Sequence, residues 1–298
     1  MIHVDNRTPL DVAVMDAVDK ADERYLSVIA KGIFVIRHGD ELEFDSTPRT
    51  SSLLDEDDLV PFKLGTDVLA RATAYAPGRN ATQWRAGISV GALKKYVTVT
   101  GPRAWMHAPL IGWSLTPAAA VHHVPLTYEY AYGGEGFAAN PMGIGYVDPR
   151  KLDRGMVIPA PQIIRDDGAA PVFGKDYPVE TFLPLRRDWP PRSEAEPFEV
   201  FHAAPPSRVM EGYLLGNEEV VLEGMHPEHE RFAFRLPNQL VAAAMIDHVG
   251  FRYGSPGRLD TVFVDMEAGR VSLVWRVTMH LFKDGVKRVD VAMRRRLA

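Results

Sequence analysis

The sequence predicts a mainly β fold (a β-rich α+β chain) with antiparallel sheets packed as a sandwich or open barrel and long proline-rich loops. Three observations predict it. Alternating and β-branched runs recur between Tyr25 and Thr100, and an Asp284-Gly285 turn separates two apolar alternating runs near the C-terminus. Prolines recur from Asp148 to Pro206, where long regular elements cannot form. With 298 residues the chain reads as one domain over 1–298, or as two packed β lobes, 1–147 and 198–298, joined by the proline-rich segment 148–197.

Taken in order, Leu10 to Met15 is mostly apolar, and the charged run Asp16 to Arg24 begins a short helix or a solvated linker. Tyr25 to Ile36 is rich in β-branched and aromatic residues. His38-Gly39-Asp40 offers turn chemistry, so Glu41 to Phe44 is expected to return as the partner of a hairpin. Thr47 to Asp58 is polar and acidic and reads as a surface loop. Asp67 to Ala76 sets Val68, Ala70, Ala72 and Ala74 against Leu69, Arg71, Thr73 and Tyr75, which predicts a strand ending at Pro77-Gly78; an alanine-rich helix is the alternative. Trp84 to Val90 and Leu93 to Thr100 follow as consecutive antiparallel strands.

Within the proline-rich stretch, Phe173, Tyr177, Phe182, Trp189, Phe198 and Phe201 favour a loop laid across a sheet, because disordered linkers are poor in aromatics. These side chains, Phe173, Tyr177, Phe182, Trp189 and Phe198 above all, are the expected partner anchors if exposed. Glu219 to Leu222, Arg231 to Leu236 and Val241 to Asp247 read as short strands, with Val241 to Met245 open to a helical reading. Val271 to Met279 and Val286 to Met293 read as a hairpin around Lys283-Asp284-Gly285. The terminal Arg294-Arg295-Arg296 reads as a solvated end.

The net charge of −5 argues against nonspecific nucleic-acid binding, and the absence of cysteine excludes disulfides, thiolate metal sites and a cysteine nucleophile. No run approaches the ~18–20 apolar residues of a membrane span, so a cytoplasmic chain with no membrane partner is expected.

The densest motif is Pro125 to Gly134, followed by Asn140-Pro141-Met142-Gly143-Ile144-Gly145-Tyr146. In a strand, Tyr128, Tyr130 and Tyr132 share one face while Glu129 and Ala131 share the other. A buried Glu129 needs a cation, and Arg103, near Trp105 in Gly101-Pro102-Arg103-Ala104-Trp105, is the candidate. Gly133-Gly134 permits positive φ, and Asn140-Pro141 with Gly143 and Gly145 reads as an ordered, sharply turning loop.

No P-loop or His-Glu-x-x-His signature is present. His122-His123 precedes a proline and has no spaced third ligand; His226-Pro227-Glu228-His229 has ligand-like spacing, but its proline suggests a turn. Gly133-Gly134-Glu135-Gly136 has no room to open a phosphate-binding helix before Pro141. No metal or cofactor is expected. Glu129 with Asp67 could form the paired carboxylates of a carbohydrate hydrolase.

Asp58 to Val68, Gly101 to Trp105, Tyr128 to Gly134, Asn140 to Tyr146, Ala203-Ala204-Pro205-Pro206, Leu259 to Val262 and Trp275-Arg276 together resemble a bacterial family classified as a domain of unknown function. Its members are encoded beside type VI secretion spike proteins and toxic effectors. The resemblance covers the chain from Lys31-Gly32 to about Trp275-Arg276. Leu64 stands where a proline is usual, Tyr130 where an arginine is usual, and the segment between Trp189 and Phe198 is shortened. The resemblance implies a non-enzymatic adaptor or chaperone that binds a type VI effector and helps load it onto a PAAR or VgrG spike, with no established catalytic residues. The alternatives are the hydrolase using Glu129 and, more remotely, a structural spike component.

Overall fold

The computed structural model describes residues 2–18, 23–47, 55, 58–175, 177–184, 202–281 and 285–296. The chain is mainly β, built from open, mostly antiparallel sheets with no closed barrel among the described residues. No helix among them is long and apolar enough to cross a membrane.

The largest sheet has seven strands. Its centre is the long pair β3 (Arg24–Val35) and β22 (Arg270–His280), antiparallel from Tyr25 opposite His280 to Val35 opposite Arg270. β2 (Asp11–Val18) closes one edge, and β21 (Arg258–Asp265), β5 (Gly65–Arg71) and β16 (Val209–Glu211) extend the other. The short β4 (Glu43–Phe44) pairs with the end of β3. The period of two explains the burial: Leu26, Val28 and Ala30 of β3 and Val271, Leu273, Trp275 and Val277 of β22 enter the main core, while Ser27, Lys31, Arg276 and Thr278 point to the opposite face.

Two other sheets close on this core. The five-stranded one runs β15 (Ile163–Arg165), β8 (Leu93–Thr100), β7 (Gln83–Val90), β17 (Glu219–Glu223) and β18 (Arg231–Arg235). The four-stranded one runs β1 (His3–Asn6), β23 (Arg288–Arg295), β19 (Gln239–Ile246) and β20 (Arg252–Pro256). Small residues at Ala70, Ala72, Ala74 and Ala86 let the backbones approach, and Phe34, Trp275, Ile88 and Phe234 fill the space between. Each fully buried Leu, Ile, Val or Phe contributes roughly 1.5–3 kcal/mol by leaving water.

The smaller units are β6 (Thr73–Tyr75) with β11 (His123–Pro125), β12 (Tyr132–Gly133) with β13 (Ile144–Gly145), and a three-stranded sheet of β10 (Gly112–Leu115), β9 (Ala104–Ala108) and β14 (Val157–Pro159).

The hairpin of β3 with β4, the antiparallel β7–β8 pair and the strand reading of Asp67 to Ala76 and Val241 to Met245 agree with the sequence expectations. Other expectations are corrected. The charged run after Met15 continues β2 to Val18, because pairing with β3 satisfies its backbone. β5 joins β21 in parallel instead of pairing with its sequence neighbours. β22 and β23 do not form the expected hairpin: β22 is held by β3 and β21, and β23 by β19 and β1. Lys283 and Asp284 of its expected turn lie outside the described residues, as does most of the loop expected between Thr47 and Asp58. Strands from both sides of segment 148–197 share sheets, β5 with β21 and β7 with β17, and β14 and β15 inside that segment pair with β9 and β8.

Candidate functional site

The stretch expected to be a strand at Tyr128 to Tyr130 is a turn of 3-10 helix. It therefore does not sort its side chains by alternation: Tyr128 is buried and donates its hydroxyl to the Pro184 carbonyl at 2.6 Å, whereas Glu129 faces solvent. No ion pair joins Glu129 to Arg103. The Arg103 Nε and Nη2 atoms are buried without a hydrogen-bond partner among the described residues, and burial lowers the guanidinium below its ordinary range, Tyr177 acting the other way. The expected buried Glu129–Arg103 pair is thus corrected. Glu129→Gln is now expected to change stability by under about 1 kcal/mol, the range for exposed charges, in a urea melt; a large loss would restore a structural role for the charge.

What holds this loop is Asn140. Its fully buried side-chain amide donates to the carbonyls of Tyr128 at 2.8 Å and Tyr132 at 3.1 Å, and its backbone carbonyl accepts from Gly134 N at 2.9 Å. A Cβ on Gly133 would lie 2.1 Å from the Asn140 carbonyl oxygen, and Gly134 has φ 149°. Gly143 packs on the Asn140 amide, Gly145 on Trp105, and Pro141 follows at the exposed corner. The motif is a brace for backbone shape, closed by the two-residue parallel pairing of β12 with β13.

A second constellation lies on the far face of the seven-stranded sheet. Asp67 on β5 is wholly buried; it accepts from Lys63 Nζ at 2.9 Å, from His202 Nδ1 at 2.6 Å and from Ala203 N at 2.8 Å. Lys63 also donates to Thr261 Oγ1 at 2.8 Å, which donates to Asp260 at 3.0 Å. Arg276 of β22 donates to Asp260 at 2.5 Å, to the Asp58 carbonyl at 2.9 Å and to the Val60 carbonyl. Lys31 of β3 donates to Asp58 at 2.6 Å and Asp55 at 2.7 Å. Burial alone would raise the Asp67 carboxyl; the Lys63 ammonium and the hydrogen bonds from His202 and Lys63 outweigh it and hold it below its ordinary value. The buried Lys31, Lys63 and Arg276 balance the buried Asp58, Asp67 and Asp260, so the array is closed on itself and pins the 58–67 and 202–203 segments to the sheet. Arg208, fully buried, donates to the Leu183 carbonyl at 3.0 Å and is pushed down to about 10 by desolvation, with Tyr128 and Asp67 acting the other way.

Sequence reasoning does not assemble this array, yet its signal is present: Asp58, Lys63, Asp67, Asp260 and Arg276 all fall in segments that carry the family resemblance, the last four as charged residues among apolar neighbours. It does not form the paired carboxylates imagined for a hydrolase, since Asp67 is committed on both oxygens and Glu129 is exposed. Nor is His202 placed as a base: Leu64 N donates to its Nε2 at 3.2 Å, so the proton lies on Nδ1. Gly87-Ile88-Ser89-Val90-Gly91 has the Gly-x-Ser-x-Gly spacing, but it is the flat interior and end of β7, with Ser89 opposite Lys94 and Val221, and not a strand-to-helix elbow. His226 Nδ1 accepts from the N–H of Glu228 and of His229, closing the turn read from its proline.

Two of the expected aromatic anchors, Tyr177 and Phe182, are corrected by their burial. Phe182 is fully buried in the main core, and Tyr177 is buried with its hydroxyl held by Arg165 N at 2.8 Å and Ala169 O at 2.7 Å. Phe173 stacks on Trp113 at 4.4 Å beside Trp105. Trp189 and Phe198, like Phe201, lie outside the described residues. An apolar surface lies on the small sheet of β10, β9 and β14. One face buries Trp105 and Ile158; the other shows Met106 opposite Val157, 47% and 60% exposed, and the β9–β10 tip carries Leu110 at φ 69° and Ile111, 77% exposed.

A family profile described as an uncharacterized protein conserved in bacteria, DUF2169, matches residues 21–276. No curated protein and no solved structure matches the chain significantly.

Proposed function

The chain belongs to the DUF2169 family of uncharacterized bacterial proteins, and from that premise we propose that it is a non-enzymatic adaptor, acting in the cytoplasm, that binds a type VI secretion effector and helps seat it on a PAAR or VgrG spike. The type VI assignment rests on the motif resemblance. The observation that supports a binding role is the two-faced apolar sheet of β9, β10 and β14. A leucine in left-handed conformation with a fully solvated side chain carries a conformational cost of roughly 1–2 kcal/mol that no burial within the chain offsets. Met106, Leu110, Ile111 and Val157 offer the apolar centre of an interface, and about 1,200–2,000 Å² is the area of ordinary specific complexes.

The test is co-expression with the effector and spike proteins encoded beside it, followed by affinity purification. A stable complex is expected, and Leu110→Asp with Ile111→Asp should weaken it roughly tenfold or more while leaving the melting temperature near wild type, since neither side chain is packed. Failure of every neighbouring effector and spike protein to co-purify, with all partners folded, defeats the adaptor reading; a complex indifferent to the double substitution moves the site off this sheet.

A further inference from the structure

We propose that the free edge of β20 receives an extended acidic segment of another protein, which adds to the four-stranded sheet as a fifth strand. The inference stands on the geometry of this edge and does not depend on the adaptor reading.

β20 ends the sheet order and, among the described residues, pairs only with β19, Ala244 lying opposite Gly254. Gly257 N donates to Val241 O, and Asp247 N to Phe251 O. Hydrogen-bonded pairs in an antiparallel ladder recur every second residue, so Ser255 and Tyr253 turn their backbone groups toward β19, and Arg252 and Gly254 turn theirs outward, joined by the carbonyl of Pro256. Neither outward N–H makes a backbone bond among the described residues, and both residues are solvent-exposed. A row of unmet donors and acceptors is a template for a further strand.

Beside that edge, on the outer face of the sheet, lies a trough of about 660 Å³ lined by Ala242, Ala244, Gly254 and Ala292. Register puts these positions side by side: Ala242 faces Ala292, and Ala244 faces Gly254. Alternate side chains of an added strand would extend over this small-residue floor, and Gly254 removes the side chain that would otherwise stand beside the incoming backbone.

Charge selects the occupant. Three arginines, Arg7, Arg252 and Arg294, rim the trough; Arg7 is already held by Asp5 at 2.7 Å, and the one carboxylate of the lining, Asp290, is nearly buried and lies 2.7 Å from Arg288. Arg294 makes no ion pair among the described residues, and Arg252 reaches Asp290 only at 3.6 Å. In a chain of net charge −5 this is a locally basic edge, so a second copy would bring arginines against arginines, whereas an acidic strand would be drawn in.

The experiment uses the full chain with three fluorescent probes: a nine-residue alternating Glu-Val peptide, the matching Lys-Val peptide and a single-stranded oligonucleotide. Anisotropy should show saturable binding of the Glu-Val peptide, weakened by added salt, and none of the Lys-Val peptide. Arg252→Gln with Arg294→Glu should weaken it roughly tenfold at an unchanged melting temperature. Hydrogen exchange on the unsubstituted protein should show the Arg252 and Gly254 amides slowing when the Glu-Val peptide is present, a readout that needs no variant. Equal binding of both peptides, preferential binding of the oligonucleotide, or Glu-Val binding without slowing of those two amides overturns the proposal.

Discussion

Replacing Asp67 by asparagine is expected to destabilise the protein by about 3–5 kcal/mol, the usual cost of leaving one member of a buried ion pair uncompensated. The substitution keeps the shape and removes the charge, so the Lys63 ammonium, 2% exposed, is left without its counter-ion in a site from which water is excluded. The amide also replaces an acceptor by a donor on one side, against either His202 Nδ1 or the Lys63 and Ala203 donors. Adding Lys63→Met should recover part of the loss, because the orphaned charge is then gone, and the double-mutant cycle in urea measures their coupling. The acid limb gives a second signature. A carboxyl held low in the fold contributes stability that is present above its unfolded value, near 3.8, and disappears as pH falls through the folded value. Wild type should therefore lose stability below about pH 4 more steeply than Asp67→Asn. Near-wild-type stability of the single variant would mean that the array is ornamental.

Gly133→Ala is expected to cost about as much as an overpacked core position, roughly 1–3 kcal/mol or more, because its new methyl meets a backbone carbonyl 2.1 Å away, which cannot rotate aside as a side-chain end can. Asn140→Ala tests the same brace from the other side. It leaves the Tyr132 carbonyl without its Asn140 donor and the Tyr128 carbonyl with Ala131 N alone, at 3.2 Å, a loss of roughly 1–3 kcal/mol for the unmet buried group. Both variants should melt earlier and become cleavable by protease between Gly134 and Tyr146, while Glu129→Gln does neither. Wild-type melting of Gly133→Ala would show that the loop relaxes freely and that the glycine is not required.

These two sites differ in how far the sequence announced them. The turning loop is legible in Gly133-Gly134 and Asn140-Pro141, since turn chemistry is written in neighbouring residues, but its role as a brace is not. Its internal detail was misread because Tyr128-Glu129-Tyr130 alternates like a strand and folds as a 3-10 turn, with the Tyr128 hydroxyl anchored on Pro184 far along the chain. The charged array was legible only as charges out of place in apolar runs. His202 and Asp67 are 135 residues apart, and no local pattern could have put them 2.6 Å from each other.

By itself the sequence determined that the protein is built of strands, where most of them run and which of their faces are apolar, because side-chain alternation and β-branched preference act over a few residues. Only the tertiary structure decided which strands are neighbours: β5 lies parallel to β21, and β22 and β23, adjacent in the chain, go to different sheets. An apolar face does not specify its partner; that choice is made by burying all such faces at once in one core while Lys31, Lys63 and Arg276 find their counter-charges in Asp58, Asp67 and Asp260.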